Sequence, residues 1–237
     1  MDIVYTVKQS DTNEELLYSL RSIANMPHDR VYMIGGCPKF INRDNVTWIS
    51  TPAQDTKYKS TTMNLQVAVS LNELSEDFIW MNDDFYILQK IQDPVKELNL
   101  MQGTIKQIVQ SFLDRNRRLT KYMYGAQRTM LYLNSIGFKD PIGYELHTPF
   151  IYNKKRVIEM FKLSGIKDVP ILHKRSVYGT LYMKNSVKTK DVKVLRASSV
   201  EKSELDMQKF LSSSDYTWPK IRPYLSSKFT EKCKYEL

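Results

Sequence analysis

Residues 3–88 alternate short β-branched or aromatic runs with helical stripes, and this alternation restricts the fold more than any other feature. Ile3-Val4-Tyr5-Thr6-Val7 has the composition of a buried strand. A helix follows, with Asp11 or Thr12 as the expected cap, Leu16, Leu17, Leu20 and Ile23 as its apolar stripe, and Pro27 just past its end. Val31-Tyr32-Met33-Ile34 reads as a second strand, stopped by Gly35-Gly36, and Val46-Thr47-Trp48-Ile49 as a third. Residues 61–74 read as a helix with Leu65, Ala68, Val69 and Leu71 on or near one face. Phe78-Ile79-Trp80-Met81 is a fourth strand ending in Asn82-Asp83-Asp84, after which Phe85-Tyr86-Ile87-Leu88 resumes the apolar pattern. Strands separated by helices imply an α/β fold with a mainly parallel mixed sheet flanked by helices. Such sheets bind ligands at the carboxyl ends of their strands. Polar signals stand there after Val7, after Ile34 and after Met81.

The second half changes character. Residues 98–134 are long, polar and helical in pattern, with a basic cluster at Arg115, Arg117, Arg118 and Lys121, and read as an inserted helical pair. A loop at 140–144, a helix at 154–163 and short strand-like runs mixed with Lys and Arg at 169–194 follow. The tail reads as a helix from Ser203 through Leu211, then a Pro-containing wrap. With no internal repeat and no linker, a single domain over 1–237 is expected.

Charge narrows the partners. Lys and Arg number 35 against 26 Asp and Glu, a net charge of +9. Such a surplus suits a polyanion, whether nucleic acid, an anionic glycopolymer, a membrane surface or a nucleotide phosphate; a basic surface on an ordinary globular protein explains it too. Two cysteines, Cys37 and Cys233, exclude a disulfide framework or a four-thiolate zinc site. No signal peptide is visible, and apolar windows break well before the roughly 20 residues of a membrane span. A cytoplasmic protein is expected, in the host cytoplasm if phage-encoded. Walker, Gly-x-Gly-x-x-Gly and Gly-x-Ser-x-Gly patterns are absent from the sequence.

The most informative segment is Asn82-Asp83-Asp84. Adjacent carboxylates at the end of a buried strand repel each other and resist desolvation. A divalent cation such as Mg²⁺ or Mn²⁺ relieves both problems and can bridge to a diphosphate. Asn-Asp-Asp is equally good chemistry for a solvent-facing turn.

Asn82-Asp83-Asp84-Phe85 after an apolar strand resembles the metal motif of GT-A (Rossmann-like) glycosyltransferases, in the form found in small phage and bacterial enzymes and in the Stealth family of sugar-phosphate transferases. Asp2-Ile3-Val4-Tyr5-Thr6, Leu17-Tyr18-Ser19-Leu20-Arg21-Ser22-Ile23, Lys57-Tyr58-Lys59-Ser60-Thr61, Tyr144-Glu145-Leu146-His147-Thr148-Pro149 and Ser226-Ser227-Lys228-Phe229 resemble further family elements. The resemblance is strong over 1–90, patchy at 140–182 and faint in the tail, and residues 95–135 match nothing in it. The opening Val7-Lys8-Gln9-Ser10 departs from the Stealth pattern, which favours the glycosyltransferase branch.

The resemblance implies a metal-dependent transfer of a sugar from a nucleoside-diphosphate sugar, with a UDP-sugar the expected donor and Mn²⁺ or Mg²⁺ the cofactor. It divides the chain into a nucleotide-sugar half (1–92), a helical insertion (93–136) and an acceptor-side half (137–237). Asp84 would be the chief metal ligand, Asp83 a second ligand or a donor contact, Asn82 their orienter and His147 a further ligand. Lys57 and Lys59 would meet the diphosphate from an extended segment before the next helix. Tyr5 and Thr6 would meet the nucleobase, with core packing the alternative for Tyr5. Arg21 would reach the donor or pair with a buried carboxylate. Arg175 and Tyr178 would lie at the donor, Arg175 neutralising the leaving diphosphate. Glu145, sharing a strand face with His147, would be the general base of an inverting reaction. Arg115, Arg117, Arg118 and Lys121, interleaved with Tyr122 and Tyr124, are the expected acceptor surface, and Lys184, Lys188, Lys190 and Lys193 a second basic stretch. The chain resembles in these respects phage transferases that glycosylate hydroxymethylated pyrimidines in DNA; teichoic acid is another polyanion that fits. The non-enzyme alternative is a basic nucleic-acid-binding protein.

Overall fold

The computed structural model describes residues 1–116, 118–196 and 201–237. Its first half runs β1 (Asp2–Val7), α1 (Glu14–Ser22), β2 (Val31–Gly35), β3 (Val46–Ile49), α2 (Lys57–Ser70), β4 (Asp77–Asn82) and β5 (Phe85–Ile87). Next come α3 (Pro94–Glu97), β6 (Leu100–Met101), β7 (Gly103–Thr104), α4 (Ile105–Asn116) and α5 (Lys121–Ser135). The rest comprises β8 (Ile142–Gly143), β9 (Phe150–Asn153), α6 (Lys154–Phe161), α7 (Lys174–Tyr182), β10 (Val187–Lys188), α8 (Lys202–Met207), β11 (Phe210–Ser212) and α9 (Trp218–Lys228).

The main sheet has the order β3-β2-β1-β4-β9, parallel except for β9. The chain winds outward from β1 to β3 and then returns to place β4 on the other side of β1. The strand order therefore reverses between β1 and β4, which opens a crevice at their carboxyl ends. Thr6 stands opposite Asn82 at that crevice.

Side chains alternate across the buried strands. Val4, Phe78 and Trp80 pack on the face covered by α2 and α4 to α7, and Ile3, Tyr5, Ile79 and Met81 on the face covered by α1. A third apolar cluster seats α9 against Tyr18, Tyr86 and Leu211. Both faces of the central strands are covered, which explains their continuous apolar runs.

Several boundaries differ from the sequence reading. Asn13, not Asp11 or Thr12, caps α1, its Oδ1 accepting from Leu16 N at 3.1 Å. Thr56 caps α2 through Lys59 N, so α2 begins at Lys57, and Lys57 and Lys59 lie in its first turn instead of on extended chain. The tail helix stops at Met207, and Phe210–Ser212 pairs antiparallel with β5, because Phe210 and Leu211 bury better beside that strand than on a short polar helix.

Gly35 closes β2 with φ +111°, and a Cβ there would overlap the Val7 carbonyl at the end of β1. Gly35→Ala should therefore cost about 1–3 kcal/mol, measured as a lower urea midpoint with an unchanged denaturant slope. A midpoint equal to wild type would show that the two strand ends can separate freely.

Candidate active site

The acidic turn between β4 and β5 sits at the crevice, and three distant parts of the chain hold it. From the start of α1, Asn13 Nδ2 donates to Asp83 Oδ2 at 2.6 Å. One amide thus caps the helix and fixes the first carboxylate. From β11, Ser212 Oγ donates to Asp84 Oδ2 at 3.2 Å. From the preceding extended segment, Lys193 Nζ lies 3.0 Å from the same Asp84 oxygen. Behind the turn, Ser213 Oγ donates to Glu15 Oε1 at 2.5 Å and meets the Tyr86 hydroxyl at 2.8 Å.

This crowding of carboxylates changes their acidity. Burial, then the neighbouring Asp84 charge, pushes the Asp83 carboxyl up to about 6, with the Asn13 bond opposing. Burial likewise raises Glu15, against its Ser213 bond, with Asp84 adding to the rise.

The facing wall is the loop that carries His147. Arg175 Nη1 donates to Leu146 O at 2.6 Å and Thr148 O at 2.9 Å, so a buried guanidinium clamps the backbone on both sides of His147. The same guanidinium lies 5.2 Å from the Phe85 ring and 5.5 Å from Phe150. Glu145 Oε1 accepts from Arg175 N at 3.0 Å and Ser176 N at 3.2 Å, capping α7. Asp191 accepts from His147 N at 2.9 Å and bonds Nδ1 at 2.7 Å, which leaves Nε2 for another partner. Burial raises Asp191, yet its bonds to His147 hold it below the usual carboxylate value. The His147 ring meets Phe85 edge-on, centroids 6.1 Å apart, beside the acidic turn.

Beside this wall the first turns of α2, α5 and α7 meet. Tyr122 stacks on Tyr58 at 6.4 Å and packs against His173 at 4.4 Å. Lys174 Nζ donates to Thr61 Oγ1 at 3.1 Å, and burial lowers its amine to about 8.

The structure thus keeps Asp83 and Asp84 at one turn with Asn82 at its base, and sets His147 against the neighbouring Phe85, with Glu145 and Arg175 supporting the His147 loop. Other expected site residues have different employment. Tyr5 is core, its hydroxyl on Ser19 Oγ at 3.0 Å. Thr6 Oγ1 accepts from Asn64 at 2.8 Å. Arg21 takes the carboxylate alternative, its Nε and Nη2 lying 2.8 and 2.7 Å from the two Glu236 oxygens, so it anchors the chain end instead of a donor. Tyr178 is buried, its hydroxyl accepting from Asn153 N at 2.9 Å. Lys57 is exposed over the Tyr58 ring and Lys59 pairs with Asp55 at 2.7 Å. Glu145 and His147 lie in a loop and share no strand face. Arg115 donates to Ser111 O at 2.9 Å, and Arg115, Arg118 and Lys121 are exposed; Arg117 lies outside the described residues. Sequence pattern points to none of Asn13, Glu15, Lys174 and Asp191, and it places Lys193 in the second basic stretch. The only local signal for the last two is Asp191-Val192-Lys193, an i,i+2 pair on extended chain.

The expected metal set is not assembled. Among the described residues no three His, Cys, Asp or Glu side chains converge to hold a metal ion. The Asp84 carboxylate carries an ammonium where a cation would dock. The present arrangement therefore does not fit a divalent ion, although the Asp191-oriented imidazole is of the type that metal ligands share.

No protein-family model matches the sequence, and no curated protein matches it either. Solved structures do match. A galactosyltransferase, LgtC, in complex with donor and acceptor sugar analogues superposes with a TM-score of 0.51 at 12% identity, covering 99% of this chain and 98% of that one. The bifunctional glycosyltransferase WbbM superposes with a TM-score of 0.55 at 10% identity, covering 98% of this chain and 50% of that one. These likenesses bear out the GT-A fold expected from the sequence. Among the described residues no helix is long and apolar enough to cross a membrane.

The raised Asp83 carboxyl gives a signed pH dependence. Between about pH 4 and about pH 6 the unfolded chain releases this proton while the folded chain keeps it, so stability falls as pH rises. The fall should be on the order of 1–2 kcal/mol. Asp83→Asn retains an acceptor for Asn13 and should remove that fall. Urea midpoints against pH for both proteins check this, and parallel curves would contradict the assignment.

Proposed function

We propose that this chain is a glycosyltransferase that moves a sugar from a nucleoside-diphosphate sugar to a hydroxyl on a polyanionic acceptor. The observation that carries the reading is the Asp83-Asp84 turn seated at the reversal of strand order, faced by an oriented His147. The nucleoside would lie across the ends of β1 and β2, and its diphosphate would extend toward the acidic turn. Tyr5, Thr6, Arg21 and Tyr178 are committed to packing or structural bonds, so the base would be held by other groups at the ends of these strands. Arg175 and Glu145 act as positioning residues for the His147 loop and α7. A divalent cation would supply Lewis-acid stabilisation of the leaving diphosphate if the Asp84 edge were freed.

The acceptor reading rests on charge and place. Exposed Arg115, Arg118 and Lys121 flank the turn that leads into Tyr122, and Tyr122 stacks against Tyr58 beside the site wall. Cations interleaved with aromatics suit a nucleic acid, and hydroxymethylated pyrimidine in DNA is the favoured acceptor.

Incubation with nucleoside-diphosphate sugars should release nucleoside diphosphate, and Asp84→Asn should reduce this at least about 100-fold, the scale for losing one electrostatic partner at a reacting centre. Release of nucleoside monophosphate would instead mark a sugar-1-phosphate transferase resembling the Stealth family, and no release would remove the enzyme reading. For the acceptor, changing Arg115, Arg118 and Lys121 together to Ala should lower the log–log salt slope of duplex binding by about two to three units, near 0.9 per lost phosphate contact. Donor hydrolysis should persist in that variant. An unchanged slope moves the acceptor surface elsewhere, and salt-independent behaviour of the wild type points to a glycopolymer.

A further inference from the structure

The segment Asp191-Val192-Lys193 runs beside β11, with Lys193 bridged to Ser212 and Val194 N donating to Ser212 O at 2.9 Å. On extended backbone, residues two apart project to one side. The two polar side chains serve opposite walls: Asp191 orients His147, whose ring lies against Phe85, and Lys193 pairs directly with Asp84. The register is fixed by backbone: β11 pairs with β5, Ser212 opposite Phe85, and Phe85 follows Asp84 in sequence. The Lys193 and Asp84 side chains are only 21% and 17% exposed, so the pair is built into the crevice wall and is no passing surface contact.

An ammonium has three donors. One is spent on Asp84, which leaves others for a further anion. Asp84 neutralises one unit of Lys193 charge in the resting chain and fixes its direction, a division of labour usual for positioned cations. Further positive charge lies close by. Lys8, at the exposed end of β1, acts on both Asp83 and Glu15, and the buried Arg175 clamps the facing loop. Lys193, with two donors left, and the exposed Lys8 are therefore the cations at the acidic turn that can meet an incoming diphosphate, while Arg175 belongs to the facing wall.

Resting on the glycosyltransferase reading above, we propose that Lys193 is the group that receives the donor's diphosphate in this chain, in the place where a divalent cation would otherwise stand. Nucleoside diphosphate binding then needs no divalent metal, and Asp84 serves to hold the ammonium.

The test is calorimetric titration of the full chain with UDP, GDP, ADP and CDP, in EDTA and again in MnCl₂ or MgCl₂. The expected result is that one of them binds in EDTA with an affinity within about threefold of its value with metal, and that Lys193→Ala weakens binding about tenfold or more, the scale of one charge-assisted contact. Lys193→Arg, which keeps the charge, should stay within about threefold of wild type. Circular dichroism verifies folding, and Lys193→Gln, which keeps much of the stem and a donor, replaces the Ala variant should that one fail to fold. Binding by the wild type only with Mn²⁺ or Mg²⁺ would overturn the proposal, as would full affinity without the Lys193 charge. Absence of binding by every nucleotide under both conditions would instead defeat the glycosyltransferase reading itself, and this inference with it.

Discussion

Two adjacent carboxylates at the end of a buried strand set the terms for everything packed around them. Left alone, Asp83 and Asp84 would repel each other in a site from which water is partly excluded. The fold meets this with an amide from the cap of α1, a hydroxyl from β11 and an ammonium from the extended segment Asp191-Val192-Lys193. These partners come from residues 70, 128 and 109 positions away in the chain, so the turn is fully partnered only when these distant parts are together. The C-terminal part is accordingly integral to the crevice. Arg21 and Glu236 tie it to α1, the helix whose cap touches Asp83.

What sequence pattern could see was local. Val4, Ile79 and their neighbours alternate between two covered faces, and the strands at 3–7, 31–34, 46–49 and 78–81 follow from that burial. The Asp83-Asp84 turn was visible because a pair of charges after an apolar run is expensive wherever it occurs. The partners were invisible because nothing near Asn13 or Lys193 in the chain announces a contact with residues 83 and 84. Lys193 looked like one more cation in a basic stretch. Arg21, Tyr178 and Thr6 illustrate the converse: a resemblance transfers a position, but only packing shows whether the side chain faces a ligand or completes the core. Lys57 and Lys59 changed role through one cap, since Thr56 starts α2 early and turns an extended pair into successive helical positions.

The two walls of the crevice differ in how they are held. The acidic side depends on side-chain bonds to carboxylates and is sensitive to charge. The His147 side is held mainly through backbone, by Arg175 on two carbonyls, Glu145 on two amides and Asp191 on one more. A wall of that kind keeps its shape when ligand charge changes, and it presents the imidazole at a fixed angle beside Phe85. The aromatic group of Tyr58, Tyr122 and His173 joins the starts of α2, α5 and α7, and the exposed Lys121 precedes Tyr122 in α5.

Amide hydrogen exchange followed by mass spectrometry, with and without a saturating nucleoside-diphosphate sugar, tests the location of the donor most directly. The account requires slowed exchange at the end of β1, at the Asp83-Asp84 turn and in the segment around Asp191 and Lys193, all at once. Protection confined to α4 and α5, or a bound nucleotide that leaves the acidic turn unprotected, would contradict it.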